Sequence, residues 1–272
     1  MTVPKKPPRK KRRKGDLDLE PWTFAPIGIV ESCFKEKFGI PRQGSLATTA
    51  VGALQFLRED DFKTAIRGLE TFTHVWVFFV FHEHGGNRWK PSIRPPRLGG
   101  AKKVGVLASR SPHRPNPIGL SVVKIERVLP DDPRGPRVEV SGLDILDGSP
   151  LLDIKPYIPY ADSLPDARGG WAQEEIPRNE VIFSARAESE LSSRALRSFP
   201  ELAPAEGYAK LKSMILELLE IDPRPAAQQR KMRVAAPETQ GTRYGFYVLD
   251  WDVKWEIHDG KFIVTEIAPR PE

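Results

Sequence analysis

The residues best equipped for chemistry in this chain lie in four loops, outside its apolar runs. Arg110–Ser121, RSPHRPNPIGLS, sets two arginines, His113 and Asn116 among three prolines. Each proline fixes its own φ and drives the preceding residue out of the helical region, so Ser111, Arg114 and Asn116 are held extended with their side chains preset. Preset polar side chains suit a binding site; the plainer alternative is a stiffened turn between strands. Pro41-Arg42-Gln43, between Gly39 and Gly44, is a second such loop. Residues 143–166 gather Asp144, Asp147, Asp153, Lys155, Tyr157 and Tyr160 into one short run, more polar groups than its turns require. Residues 87–100 interleave Arg88, Lys90, Arg94 and Arg97 with Trp89, a pattern suited to phosphate contact and base stacking.

A metal is not expected. His82 and His84 share one side of a strand end and have His74 and His113 as possible companions. The chain nevertheless lacks HExxH and DxDxDG spacings and holds a single cysteine, which ranks a metal hydrolase last and leaves no calcium loop.

The elements that must carry these loops are mostly strands. PIGIVES after Phe24, Gly52–Leu57, Lys102–Ser109, Gly119–Leu129 and Arg137–Leu143 have the β-branched, turn-bounded look of strands. Asp60–Leu69 predicts a short helix capped by an aspartate and closed by Gly68. Val75–Phe81 is apolar at seven consecutive positions, which predicts a strand covered on both faces. The composition breaks between Gly169 and Arg178. Beyond it the pattern predicts a strand at Val181–Ala187, helices at Glu188–Phe199 and Glu206–Ile221, and three alternating runs turning at Asp250 and at Asp259-Gly260. The fold class is mainly β with a small α+β C-terminal unit, and the absence of a glycine-rich fingerprint argues against a dinucleotide-binding domain.

With 272 residues, 39% of them hydrophobic, the chain can bury a substantial core. Its formal charge is +6, but Lys5, Lys6, Arg9, Lys10, Lys11, Arg12, Arg13 and Lys14 alone carry +8, which leaves −2 for the rest. Residues 1–20 therefore read as a basic, disordered tail, either an electrostatic arm for RNA phosphate or a solubilising leader. The lone Cys33 and the lack of an apolar leader segment predict a cytoplasmic protein, and no run approaches the length of a membrane span.

The succession PIGIVES, FKEKFGIPRQ, GLETFTHVWVFFVFH, PPRLGG, VGVLASRSPHRPNPIGLS, LDILDG, LLDIKPYIPYADS and DPRP resembles the TrmO (YaeB or TsaA-like) tRNA methyltransferase family from about Phe24 to the C-terminus. The resemblance implies a homodimeric β-barrel enzyme that uses S-adenosylmethionine to methylate N6 of N6-threonylcarbamoyladenosine at position 37, in the tRNA anticodon loop. It implies a catalytic barrel over residues 21–170 and a tRNA-recognition unit over 178–272. By the same likeness Pro41, Arg42, Gln43, His82, Glu83, Arg110, Leu120 and the run Asp144, Ile145, Leu146, Asp147 line the cofactor site near the subunit interface. Asn116, Asp147 and Tyr157 are then the catalytic candidates, Asn116 by hydrogen bonding and Tyr157 by stacking on the base. Arg88, Trp89, Lys90, Arg94, Arg97, Arg114 and Arg224 of DPRP are the candidate RNA contacts. The basic tail and Lys231–Thr239 fall outside the family's pattern. The rival reading is a non-catalytic RNA-binding barrel.

Overall fold

The structure is a computed structural model that describes residues 20–84, 89–98, 100, 102–224 and 242–271. The basic tail, Arg88 and Lys231–Thr239 lie outside the described residues. The elements in chain order begin with β1 (Gly28–Ser32), β2 (Val51–Phe56), α1 (Asp60–Ala65), β3 (His74–Val80), β4 (Ser92–Ile93) and β5 (Val104–Gly105). They continue through β6 (Ile118–Leu129), β7 (Arg137–Ser141), β8 (Ser149–Pro156) and α2 (Pro159–Asp162). The remainder is β9 (Val181–Phe183), α3 (Ala185–Ser198), α4 (Pro204–Glu220), β10 (Tyr244–Val248), β11 (Trp251–His258) and β12 (Lys261–Pro269).

Six strands close into a barrel in the order β1-β2-β7-β6-β3-β8, with every pairing between them antiparallel. Closure removes the exposed edges that an open sheet would have to protect. β3 is the strand that differs most from expectation. Val75, Val77 and Phe79 point into the core and are buried, whereas Trp76, Phe78 and Val80 point outward and are half-buried. Alternation therefore survives inside an unbroken apolar run, and the outer half of the strand is an apolar surface that this chain covers only in part.

β8 lies within the stretch expected to be irregular. Gly148 and Pro150 read as breakers, but Gly148 takes φ of 71° just before the strand and Pro150 occupies only its second position. Lys102–Ser109 contributes only the two residues of β5 and then a single 3-10 turn at Val106–Ala108. The cap of α1 is Glu59 without a side-chain hydrogen bond, while Asp60 and Asp61 face the helix dipole in the first turn.

Beyond the barrel, β10-β11-β12-β9 form a second sheet, with β9 parallel to β12 and α3 and α4 packed against each other and against this sheet. Ser184 caps α3 by accepting from the Ala187 amide at 3.1 Å. The two parts share one continuous buried cluster. At their seam the Leu249 amide donates to the Cys33 carbonyl at 2.8 Å, and Glu217 of α4 accepts from both the amide and the hydroxyl of Thr49. No helix among the described residues is long and apolar enough to cross a membrane.

Candidate active site

The four loops singled out in the sequence are not equally close in space. Three of them meet at one end of the barrel around a cavity of about 900 Å³. The loop after β1 contributes Pro41, Arg42 and Gln43; the end of β3 contributes His82 and Glu83; the proline loop contributes Arg110, Arg114 and Asn116; β6 contributes Leu120 and Ser121. Asp144, Leu146 and Ser149 complete the wall.

Local chemistry fixes this geometry. In the proline loop the Ser109 hydroxyl donates to the Val106 carbonyl at 2.7 Å and accepts from the Ser111 amide at 3.3 Å; Ser111 in turn accepts from the His113 amide at 3.3 Å. Such hydroxyl turns stand in for backbone ladders where prolines remove donors. Gly119 follows because a Cβ there would lie 2.2 Å from the Phe79 ring, so β6 can seat on β3 only without a side chain. Gly44 likewise has the Gly142 carbonyl where a Cβ would stand, which presses the Pro41–Gln43 loop against the barrel. Across the cavity Arg110 donates to the Gln43 side-chain carbonyl, joining two of the loops.

A second cavity of about 490 Å³ adjoins the first. Its own walls include His74, Tyr157 and Asp162; Trp76, shared with the larger cavity, brings its ring 5.8 Å from that of Tyr157. Gln43, Trp76, Arg110, Leu120, Ser121 and Asp144 line both cavities. Ser121, buried on β6, donates to Asp144 Oδ1 at 2.5 Å. Desolvation raises the Asp144 pKa above the usual aspartate range, and the hydrogen bonds from Ser121 and the Gly44 amide and the charge of Arg110 oppose the rise without cancelling it.

Comparison with known proteins decides the family. Residues 29–163 match the tRNA-methyltransferase O N-terminal domain, and residues 177–270 match the TrmO C-terminal domain. The chain is 38% identical over 252 residues to the tRNA (adenine(37)-N6)-methyltransferase of Escherichia coli K12, covering 93% of this chain and all of the relative. The chain belongs to the tRNA-methyltransferase O family. A Pseudomonas aeruginosa protein described as the putative S-adenosylmethionine-dependent methyltransferase RcsF is 42% identical, over 86% of this chain and 91% of its own length. The crystal structure of TrmO from the same genus superposes with a TM-score of 0.71 at 36% identity, covering 93% of this chain and 100% of that one. The closed barrel and the appended sheet are thus the TrmO architecture, and the enzyme class is an S-adenosylmethionine-dependent tRNA methyltransferase.

The larger cavity fits that cofactor. Its aromatic wall, Phe79 and Phe81, and its carboxylates, Glu83 and Asp144, suit a sulfonium cation, while Arg42 and Arg110 suit the cofactor's own carboxylate.

Several sequence candidates stand elsewhere. Asp147 does not line either cavity: its Oδ1 accepts from the Ser32 amide at 2.7 Å and its Oδ2 pairs with Lys35 at 3.0 Å. It closes the turn that returns the chain from β7 to β8, where its own amide donates to the Phe34 carbonyl. Ile145 is fully buried in the core, because successive residues of the 144–147 run face opposite ways. Arg224 is only 7% exposed; it forks onto Asp222 at 2.7 Å and lies against the Tyr244, Trp255 and Phe262 rings, so it pegs the DPRP corner to the second sheet and offers no open charge to RNA. Asn116 and Tyr157 occupy different cavities. Trp89 is half-exposed, Lys90 and Arg94 are exposed, and Arg97 donates to the Ala172 carbonyl at 3.0 Å.

Two histidines that line the larger cavity are also tied to the barrel through their ring nitrogens. His84 Nδ1 lies 2.7 Å from the Phe81 carbonyl and His82 Nδ1 lies 3.3 Å from the Ser149 hydroxyl. Burial, then Lys90 and His84, lowers the His113 pKa. Among the described residues no group of three His, Cys, Asp or Glu side chains is arranged to hold a metal. Ser121, Trp76 and His74 were missed as site residues. Ser121 stands in the same GLS that ends the proline loop, and Trp76 was hidden within an apolar run read as core.

Proposed function

We propose that this chain methylates N6 of N6-threonylcarbamoyladenosine at position 37, in the anticodon loop of tRNA, as a cytoplasmic homodimer. The observation that carries the reading is the pair of adjoining cavities, one fitted to the cofactor and one walled by aromatic rings, as a transfer between two bound partners needs. The cofactor supplies an electrophilic methyl group; the chain supplies placement. Gln43 and Arg110 bridge two loops across the junction, and Asn116 and Tyr157 stand in the larger and smaller cavity as hydrogen-bonding and stacking partners. Arg114 lines the larger cavity and the Lys90 amide donates to the His113 carbonyl beside it; with Trp89, Arg94 and Arg97 of the same basic loop they serve as phosphate and base contacts, and the α+β unit aids recognition of the tRNA.

The dimer reading draws on Phe78 and Val80 of the outward half of β3 together with Ile118, which is 39% exposed, an apolar surface beside the cavity mouth that a second copy covers. Cytoplasmic residence accords with a sole, buried, free thiol.

The decisive experiment compares methylation of matched tRNAs with and without the threonylcarbamoyl group. Methyl transfer only to the modified tRNA is expected. Equal transfer to both, or transfer to neither, overturns the substrate assignment.

A further inference from the structure

Resting on the methylation reading above, we propose that the smaller cavity receives the acceptor adenine and that Asp144 takes the proton leaving its N6. Position decides the choice of carboxylate. Among the described residues Glu83 lines only the larger cavity, Asp162 lines only the smaller, and Asp144 lines both. A group that accepts a proton from a nitrogen while that nitrogen receives a methyl must reach the place where the two ligands meet, and Asp144 is the acid so placed. Asp147, the other obvious acid of the same run, is committed to Ser32 and Lys35 outside both cavities.

The walls suit a base taken out of its stack. Trp76 and Tyr157 lie 5.8 Å apart and His74 stands 6.4 Å from Tyr157, a cluster of flat faces on which a purine can stack. Ser121 anchors Oδ1 and so fixes the carboxylate's orientation. Partial withdrawal from water makes this carboxylate a stronger base than an exposed aspartate. In the transfer the N6–H bond breaks toward Asp144 as the N6–CH₃ bond forms and the S–CH₃ bond breaks, its electron pair returning to sulfur. The neutralised sulfur and the protonated Asp144 balance the charge, and the proton then passes to solvent. Arg110 faces Asp144 from the proline loop, His74, Tyr157 and Asp162 from the smaller cavity, and His82 and Glu83 from the larger.

Two measurements test this. In cofactor-free protein, calorimetry with an anticodon stem-loop bearing N6-threonylcarbamoyladenosine should show Trp76→Ala and Tyr157→Ala each weakening binding on the order of tenfold. In turnover, Asp144→Asn should lower kcat by about a hundredfold or more and delete the acid limb of its pH profile. Ser121→Ala should move that limb to higher pH, because the ionised carboxylate loses a donor; this variant keeps the test sharp should Asp144→Asn fold poorly. Wild-type stem-loop affinity in both aromatic variants overturns the subsite. An acid limb unmoved in Ser121→Ala, or preserved with full kcat in Asp144→Asn, overturns the proton acceptor. A wild-type enzyme that methylates no such tRNA instead removes the reading on which both rest.

Discussion

Asp144 and Asp147 are three residues apart in LDILDG, and the structure gives them opposite tasks. Asp147 ties the amide of Ser32 to the turn before β8, so Asp147→Ala should cost about 1–2 kcal/mol of stability while leaving cofactor affinity near that of the wild type; denaturant unfolding beside calorimetry reads both. Asp144 should behave in the opposite sense. Its folded-state pKa is raised, so its contribution to stability is present at low pH and is lost as pH rises through that pKa. Asp144→Asn should therefore melt higher than the wild type at neutral pH, with the advantage shrinking on acidification, in thermal scans across pH. An advantage that grows toward acid would contradict this sign. The sequence names both acids, but which one turns to the cavity depends on the alternation of a four-residue run, and that is fixed only when Ile145 enters the core.

The strands were legible in the sequence wherever β-branched residues met turn residues, as at β1, β2, β6 and β7. β8 was obscured by its prolines, and the outward face of β3 by an apolar run whose alternation cannot be seen when both faces carry large side chains. The proline loop stood out because its stiffness is written in residue type alone. Its junction with β6 depends on Gly119, and Gly119→Ala should cost about 1–3 kcal/mol because the added methyl meets the Phe79 ring; urea unfolding measures the loss. Glu217 joins α4 to the segment that follows the Pro41–Gln43 loop, accepting from Thr48 and from both donors of Thr49. Glu217→Ala is expected to weaken cofactor binding several-fold by loosening that loop, and unchanged affinity by calorimetry would limit the clamp to a structural role.

For the whole molecule, the continuous core predicts one cooperative unfolding transition across both sheets, read as a single calorimetric peak. No residue pattern announced that continuity, since the break at 169–178 marks a change in composition and carries no sign of what packs across it. Deleting residues 1–14 should flatten the salt dependence of tRNA binding without altering cofactor affinity, because the eight cations lost act on phosphate.

Cys33 holds a thiol with 2% exposure and a pKa pushed up to about 12 by burial, so at neutral pH it carries almost no thiolate. A protein that handles an alkylating cofactor therefore presents no thiolate of its own, and self-methylation at cysteine is closed off. Disulfide-exchange reagents should leave the native protein untouched and release one equivalent only after denaturation. The same silence makes the chain its own blank for spectroscopy. A cysteine introduced at Trp89 or Tyr160 becomes the sole reporting thiol, and a spin label there can measure the distance between two copies without first removing anything from the native sequence.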